Sequence, residues 1–498
     1  MSRRHRGLLL RTILLLFALN SISLALYFLL HPRPSSFPKT LTPTPPSFPS
    51  LKPWPSLPSF LPWSISPPPP AGSCEAYFGH GFSRRIDLVR SSSSTGGGGW
   101  FRCYYSETLL SSICEGGRVR MDPARISMTD GGEALETVMG REEEEELPKY
   151  ESGAFEIEAG EEVTGGADRR VVDELDRYFP QKGIQVHTMR ALMGSMRLVD
   201  PGKLECTQWV DEPTLLVTRF EYANLFHTAS DWYSAYASSQ VTNLPNRPNV
   251  VFVDGHCKAP LEEGWGALFS GVRYAKNFSG PVCFRHAILS PLGYETALFK
   301  GLTHRISCRG ASAAILRENP DNGKTARLSE FGEMLSAAFG LLGDGNLPAK
   351  PSVGHSVLFV RREDYLAHPR HSGRVESRLS NEQEVFDAVK NWADDHKKCK
   401  INVVNGLFGH MHLKEQIRAV QEASVVIGAH GAGLTHLVAA TPGTMVVEII
   451  GSQYRRPHYA YMSEWKGLEY HAINLPGSFA EPADVVDKLR SIMASLGC

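Results

Sequence analysis

A glycine-rich segment near the C-terminus, Ser424–Ile450, constrains the fold of this chain more than any other stretch. It reads SVVIGAHGAGLTHLVAATPGTMVVEII, in which two apolar, β-branched runs, Val425–Ile427 and Met445–Ile450, enclose a glycine-rich turn and a short helical pattern. This order is typical of a β-α-β unit. The segment therefore predicts a parallel sheet with helices on its faces.

The glycine turn suits a negatively charged ligand. Gly428, Gly431 and Gly433 have no side chains, so backbone N–H groups at the start of the next helix can approach a ligand closely. Those amides and the helix dipole favour phosphate. The spacing G-x-x-G-x-G differs from the G-x-G-x-x-G of dinucleotide dehydrogenases. Glu448 lies near the carboxyl end of the second strand, where a carboxylate could accept both ribose hydroxyls of a nucleotide. A tight structural turn with a solvated Glu448 is the alternative, and the motif alone leaves both open.

Two arginines follow another predicted strand. Val357–Val360 is continued by Arg361, Arg362, Glu363 and Asp364. Guanidinium groups at the carboxyl end of a parallel strand point into the ligand crevice, and their planar fork gives a diphosphate two parallel, charge-assisted hydrogen bonds. A surface pair bound to Glu363 or Asp364 is the structural alternative. Beside the glycine turn, we favour a diphosphate site.

An earlier segment, Phe220–Tyr233, offers a candidate general base. On a helix, Asn224, His227 and Asp231 are spaced i, i+3 and i+7 and line one face. A histidine with a carboxylate one turn away is a plausible base, because the acid fixes the tautomer and supports the imidazolium. In the structural alternative Asn224 caps the helix and His227 packs under aromatic side chains. The sequence leaves these interpretations open.

Strand and helix patterns alternate in two blocks. The first has strands at Pro213–Phe220 and Asn249–Asp254 around a helix over Ala223–Gln240; the second has strands at Ser356–Val360 and Ile401–Val404, a helix over Lys414–Ala423 and the glycine-rich unit. Repeated β-α-β alternation implies parallel sheets covered on both faces. We expect two α/β subdomains facing each other across a cleft, over residues 73–340 and 341–498.

The N-terminus predicts a membrane anchor and a stem. Thr12–Leu30 is apolar and long enough to cross a bilayer, and the four arginines before it leave residues 1–11 in the cytosol as a tail. A cleaved signal peptide is the alternative, but this run ends in large residues instead of small ones. Residues 31–72 are dense in proline and are typical of a semi-rigid stem. Everything beyond the anchor would then face the lumen.

Charge and cysteine usage narrow the class further. With 52 basic and 53 acidic residues and no basic patch among aromatics, nucleic-acid binding is excluded. All nine cysteines follow the anchor, where disulfides are permitted, and the odd number leaves at least one thiol unpaired or intermolecular. Asn277 begins an N-x-S sequon, compatible with a lumenal glycoprotein. No D-x-D triplet follows a predicted strand, so we expect no metal and no cofactor.

These features together suggest a transferase of the GT-B type, with two Rossmann-like domains. GAHGAGLTH with the following TPGTMVVEI, preceded by FVRRE and by the N-x-x-H-x-x-x-D helix, resembles glycosyltransferase family 61. The resemblance extends over nearly the whole chain beyond the anchor. Clear departures are confined to the stem, the loop Ser91–Gly99, and about residues 153–180 and 341–355.

The resemblance implies an inverting enzyme of the Golgi membrane that transfers xylose from UDP-xylose to O2 of the core β-mannose of N-linked glycans. Donor contacts are expected from Arg361, Arg362, His430, Gly431, Ala432, Gly433 and Glu448. His227, oriented by Asp231, would remove the acceptor proton, with Asn224 on the acceptor side; Asp231 itself is the alternative base. A transferase acting on xylan, and a Golgi lectin or scaffold without the chemistry, are the alternative functions.

Overall fold

A computed structural model describes residues 48–498 except 64–66, 91–97, 159–176, 180–187, 319, 322, 343–353 and 364–377. The compact unit begins at Phe48. The predicted tail, the anchor over residues 12–30 and the stem as far as residue 47 lie outside the described residues. Within the described ranges, no helix is both long and apolar enough to cross a membrane.

The described part of the chain is a mixed α/β structure with several sheets. Its strands are β1 Arg84–Val89, β2 Trp100–Ser106, β3 Ser111–Gly117, β4 Val119–Met121, β5 Ile126–Ser127, β6 Lys149–Tyr150, β7 Phe155–Glu158, β8 Met196–Val199, β9 Gln208–Val210, β10 Thr214–Val217, β11 Asn249–Phe252, β12 Val272–Tyr274, β13 Val282–Phe284, β14 Ala287–Leu289, β15 His355–Val360, β16 Ile401–Gly406, β17 Val425–Ala429, β18 Met445–Ile450 and β19 Glu469–Asn474.

Its α-helices are α1 Cys74–Phe78, α2 Glu143–Glu146, α3 Thr188–Ser195, α4 Leu225–Val241, α5 Glu262–Leu268, α6 Ala297–Lys300, α7 Ala313–Glu318, α8 Leu328–Ala338, α9 Glu382–Asp395, α10 Leu413–Glu422, α11 His458–Lys466 and α12 Pro482–Ser495. Short 3-10 helices cover Pro123–Arg125, Leu135–Thr137, Ala275–Asn277, Gly293–Glu295, Phe408–His410, Ala432–Ala439 and Ser452–Tyr454.

The C-terminal sheet is entirely parallel. Its strand order is β16-β15-β17-β18-β19, and every neighbouring pair runs in the same direction. The side chains of β17 and β18 are buried throughout, as expected for a parallel sheet covered by helices on both faces. From β15 the chain crosses to β16 on one side of the sheet, and from β17 it crosses to β18 on the other side. The direction of the connections therefore reverses between the neighbouring strands β15 and β17. Such a switch point opens a crevice at the carboxyl ends of the strands.

Three further sheets lie among the described residues of the N-terminal half, and the smallest is the two-stranded pair β5-β6. A seven-stranded sheet has the order β1-β2-β3-β14-β10-β11-β12, in which β14, β10, β11 and β12 are parallel and β1, β2 and β3 are antiparallel. A five-stranded mixed sheet has the order β8-β7-β4-β13-β9. Helix α4 follows β10, so its first turn lies at the carboxyl edge of the parallel strands.

Residues 48–63 correct the predicted extent of the stem. They pack on the folded unit: Trp63 is 6% exposed and donates from Nε1 to Glu330 at 2.8 Å, and Ser59 donates from its amide and hydroxyl to Glu333 at 2.8 and 2.7 Å. Both glutamates are buried in α8 and need such partners. A proline-rich composition predicted an extended chain, but it could not show that its tryptophans and polar groups bind buried partners. We call residues 48–63 the strap.

Four disulfides join eight of the nine cysteines. The pairs are Cys74–Cys308, Cys103–Cys114, Cys206–Cys283 and Cys399–Cys498. Cys257 is buried and free, which confirms that the odd count leaves one thiol unpaired.

Candidate active site

The carboxyl ends of β15 and β17 form the centre of the candidate donor site. Arg362 follows β15, and Gly431 follows β17, on the two sides of the switch point. The guanidinium of Arg362 lies over Gly431, since a Cβ atom at position 431 would collide with Nη1 and lie 3.0 Å from Cζ. The lack of a side chain at Gly431 therefore makes room for this arginine.

Arg361 has a different partner. Its Nε donates to Glu382 at 3.3 Å, and its guanidinium lies 5.4 Å from the centre of the Phe386 ring. Glu382, at the start of α9, also accepts the backbone N–H of Arg362 at 3.2 Å. Burial raises the pKa of Glu382, against the opposing effect of these donors. The structure thus places Arg362 at the glycine turn, whereas Arg361 links the end of β15 to α9 through Glu382.

Glu448 is buried and bonded to two other side chains, whereas the sequence predicts a ribose contact. It is 0% exposed, and both oxygens are used: His430 Nδ1 lies 2.5 Å from one, and the Tyr470 hydroxyl donates to the other at 2.5 Å. A carboxylate that accepts a hydrogen bond from Nδ1–H fixes the tautomer of His430 and leaves Nε2 for another partner. Glu448 is therefore a positioning residue for His430.

The glycine turn continues into the 3-10 helix Ala432–Ala439 and not into an α-helix. Its cap, Gly431, accepts the N–H of Leu434 at 3.0 Å. The N–H groups of Ala432 and Gly433 have no carbonyl partner within such a helix, because the first amides of any helix precede its hydrogen-bond ladder. They are donors suited to an anion, as the sequence predicts.

His227 lies in the first turn of α4. Asn224 is the N-cap, and its Oδ1 accepts the N–H of Phe226 at 2.9 Å, which confirms the capping interpretation. The His227 ring stacks on Tyr294, with centroids 5.4 Å apart and planes at 24°. Burial lowers the pKa of His227, and its Nδ1 is buried with no hydrogen-bond partner among the described residues. The ring as a whole is half-buried, and a neutral imidazole can accept a proton from a bound hydroxyl at the nitrogen that faces solvent.

Asp231 does not orient His227 in this structure. Its Oδ1 accepts the N–H of Gly293 at 2.9 Å, and within the described ranges no hydrogen bond joins its carboxyl group to the imidazole. Asp231 is 3% exposed, and burial raises its pKa to about 8. The i, i+4 spacing places the two residues on one face, but the carboxyl group is turned to the loop that follows β14.

A row of rings connects His227 with His430. Phe226 lies 5.6 Å from His227 and 5.5 Å from His458, and His458 lies 5.0 Å from His430. His458 is 6% exposed, and burial, with the nearby charges of His430 and Arg456, lowers its pKa to about 3. Sequence reasoning missed His458, although its position after the carboxyl end of β18 was an available signal. The candidate base and the candidate donor site are thus parts of one cluster.

Potential metal ligands come together elsewhere. Among the residues that the structure describes, His355, Cys399 and Cys498 are the set of three whose ligand atoms lie close enough for an ion. The two cysteines are disulfide-bonded, and His355 begins β15, at the amino end of a strand whose carboxyl end carries Arg361 and Arg362.

Comparisons with known proteins relate this site to a family of transferases. The profile of the family described as Glycosyltransferase 61 matches residues 208–447, a range that includes α4, the arginines and the glycine turn. Beta-1,2-xylosyltransferase RCN11 of Oryza sativa subsp. japonica is 67% identical over 90% of this chain and 84% of its own. The beta-1,2-xylosyltransferase of Arabidopsis thaliana is 55% identical over 100% of both chains. An EGF domain-specific O-linked N-acetylglucosamine transferase of Gallus gallus is 24% identical, over 55% of this chain and 46% of its own.

Proposed function

This chain belongs to glycosyltransferase family 61, and we propose that it transfers xylose from UDP-xylose in β-1,2 linkage to the core β-mannose of N-linked glycans. The names of the two plant relatives and their high identity to this chain support a xylosyltransferase. The observation that carries the chemistry is the juxtaposition of Arg362 and Gly431 at the switch point, joined through ring contacts to His227.

The donor diphosphate binds at the switch point. Arg362 and the N–H groups of Ala432 and Gly433 stabilise the charge that develops on the diphosphate as UDP leaves, and His430, held by Glu448, contributes a further polar contact. Arg361 acts indirectly through Glu382, which holds the backbone of Arg362.

His227 acts as the general base. As it takes the proton of mannose O2, that oxygen bonds to C1 of xylose from the face opposite UDP, and the bond between C1 and the diphosphate oxygen breaks. The electron pair leaves with UDP, and the configuration at C1 is inverted. The lowered pKa of His227 keeps its imidazole neutral and able to accept this proton.

The two catalytic halves form a GT-B arrangement. The parallel strands β14, β10, β11 and β12 belong to an acceptor-side Rossmann-like domain, and the C-terminal sheet belongs to the donor domain. The carboxyl edges of the two sheets carry His227 and Arg362 respectively, which supports a cleft between them.

The protein is a single-pass type II Golgi membrane protein with a lumenal catalytic part. Four disulfides support an oxidising compartment. Asn277 is exposed at the end of a 3-10 turn and is accessible to glycosylation, whereas the following Phe278 is buried.

The test is an assay with two acceptors. The protein is incubated with UDP-xylose and either a truncated N-glycan or xylan, with His227→Ala as the inactive control. The proposal predicts UDP release and a xylosylated N-glycan. Product on xylan alone would assign another activity of the family, and glycan binding without UDP release would indicate a lectin or scaffold.

Departure of UDP needs no metal ion in this proposal, because Arg362 and backbone amides supply the positive charge. Full activity is therefore expected in excess EDTA. Loss of activity in EDTA, restored by added Mn²⁺ or Mg²⁺, would contradict this part of the proposal.

A further inference from the structure

We propose that Phe220, Tyr294 and Phe299 form a stacking surface for a sugar ring of the acceptor glycan, beside His227. We call these three side chains the aromatic platform. The inference rests on the proposed function, because it assigns the acceptor contacts of the same reaction.

Tyr294 contacts both of the other rings, and all three border the candidate base. Tyr294 lies 4.3 Å from Phe220 and 3.9 Å from Phe299, measured between ring centroids. The His227 ring lies 5.4 Å from Tyr294, 5.9 Å from Phe220 and 6.2 Å from Phe299. The aromatic side chains therefore adjoin the imidazole ring that would receive the acceptor proton.

The platform rings are partly open to solvent although the segment that carries two of them is mostly buried. In residues 291–300, the buried positions include Leu292 and Leu298, at 3% and 1% exposed. Tyr294, Glu295, Phe299 and Lys300 are instead half-buried. The segment thus packs its aliphatic side chains inward and presents two rings with polar neighbours at the rim.

This composition suits a carbohydrate. One face of a pyranose carries C–H groups, which pack on the electron-rich face of an aromatic ring, while its hydroxyls reach polar groups at the rim. A diphosphate gains nothing from such a surface, and the guanidinium and amides that suit the diphosphate lie at the switch point instead. The platform is therefore matched to the acceptor and not to the donor.

The platform is tied to the helix that carries His227. The Asp231 carboxyl group accepts the N–H of Gly293, and a Cβ atom at position 293 would lie 2.5 Å from its Oδ1. The Ser234 hydroxyl donates to the carbonyl of Pro291 at 2.6 Å. Asp231 and Ser234 both lie in α4, so these two hydrogen bonds fix the position of the loop Pro291–Tyr294 relative to His227. Asp231 is in this account a positioning residue for Tyr294.

The test measures acceptor binding and donor binding separately. The affinity for a truncated N-glycan is measured by saturation-transfer NMR titration, and the affinity for UDP by calorimetry, in the full chain and in Tyr294→Ala, Phe299→Ala and Tyr294→Trp. We expect each alanine variant to weaken glycan affinity about tenfold while UDP affinity stays unchanged, and Tyr294→Trp to keep glycan binding. Phe60→Ala, which removes an exposed ring on the strap, is the matched control and should bind both ligands normally.

Two results from the variants would overturn the platform. One is unchanged glycan affinity in folded alanine variants, with folding checked by the thermal unfolding midpoint. The other is a loss of UDP affinity with glycan affinity retained, which would assign the rings to the donor. If the unmodified protein bound UDP but no N-glycan, the proposed acceptor itself would be wrong, and the platform would fall with it.

Discussion

At the scale of single residues, the close approach of Arg362 to Gly431 is the main feature of the candidate donor site. A methyl group at position 431 would occupy the place of the guanidinium, but the end of an arginine side chain can move aside without unfolding the protein. We expect Gly431→Ala to lower kcat/KM for UDP-xylose by roughly tenfold or more, the loss of a charge-assisted hydrogen bond, with little change in the unfolding midpoint. Gly266→Ala is the matched control, because open space surrounds that position in α5. Equal values of kcat/KM in the two variants would show that Arg362 does not bind the donor.

Asp231 has two candidate roles that the sequence could not distinguish: it either positions the Gly293 loop or acts as the general base. If it anchors the Gly293 loop, Asp231→Asn should keep nearly full activity, because the amide oxygen also accepts the Gly293 N–H. Asp231→Ala should raise the acceptor KM about tenfold, because Gly293 loses its partner. If Asp231 is the base, both variants should lose a factor on the order of 10² to 10⁴ in kcat. Steady-state kinetics of the two variants decide between these roles.

The pH dependence of kcat/KM distinguishes the same candidates independently. Burial lowers the pKa of His227 below its ordinary value of 6.5, and a base must be unprotonated to act. Activity should therefore be constant at neutral pH and fall only as the pH drops below 6.5. An ionised Asp231 as base would instead give an activity that rises with pH through about 8, its raised pKa.

The sequence predicted the residue types of the site better than their contacts. The G-x-x-G-x-G spacing and the arginines after a strand predicted which residues meet at the candidate donor site, because strand ends and glycine turns are local properties. That Arg361 binds Glu382, and that Glu448 binds His430 and Tyr470, depends on residues distant in sequence or on an adjacent strand. Burial of Glu448 could not be inferred from its position at a strand end.

At the scale of elements, the predicted strands and helices agree closely with the structure. Met445–Ile450 is β18 without change, and the helix predicted over Ala223–Gln240 is α4, Leu225–Val241. Buried parallel strands are continuous apolar runs, so their periodicity is strong. The segment Ala432–Ala439 is a 3-10 helix, and the burial of Leu434, Leu437 and Val438 comes from tertiary packing that no local pattern records.

The packing of the strap could not be predicted from its composition. Because Trp63 is buried there, we expect its removal to destabilise the protein strongly. Trp63 fills a site between α8 and Tyr236, and donates to the buried Glu330 carboxylate. Trp63→Ala should lower the free energy of unfolding by about 3–5 kcal/mol, because it leaves both a cavity and a buried carboxylate with fewer partners. Phe60→Ala, three residues away and 46% exposed in the parent, should change it by no more than about 0.5 kcal/mol. Chemical denaturation of the two variants makes the comparison, and similar values would mean that the strap is only loosely bound.

At the scale of the whole molecule, a row of ring contacts joins residues that follow strands of two different sheets. The ring contacts from Tyr294 through His227 and His458 to His430 make the acceptor-side and donor-side residues continuous. The mixed α/β class followed from alternating patterns, whereas this continuity depends on tertiary packing between segments about 230 residues apart. Xylose transfer requires that the donor lie on one side of this row and the acceptor hydroxyl near His227.

The most direct test of this account is an experimental structure of the protein with UDP bound. We expect the diphosphate within hydrogen-bond distance of the Arg362 guanidinium and of the Ala432 or Gly433 amide, at the carboxyl ends of β15 and β17, with the His430 ring beside it. A diphosphate bound away from this switch point, with Arg362 still over Gly431 and no phosphate oxygen near either, would contradict the account.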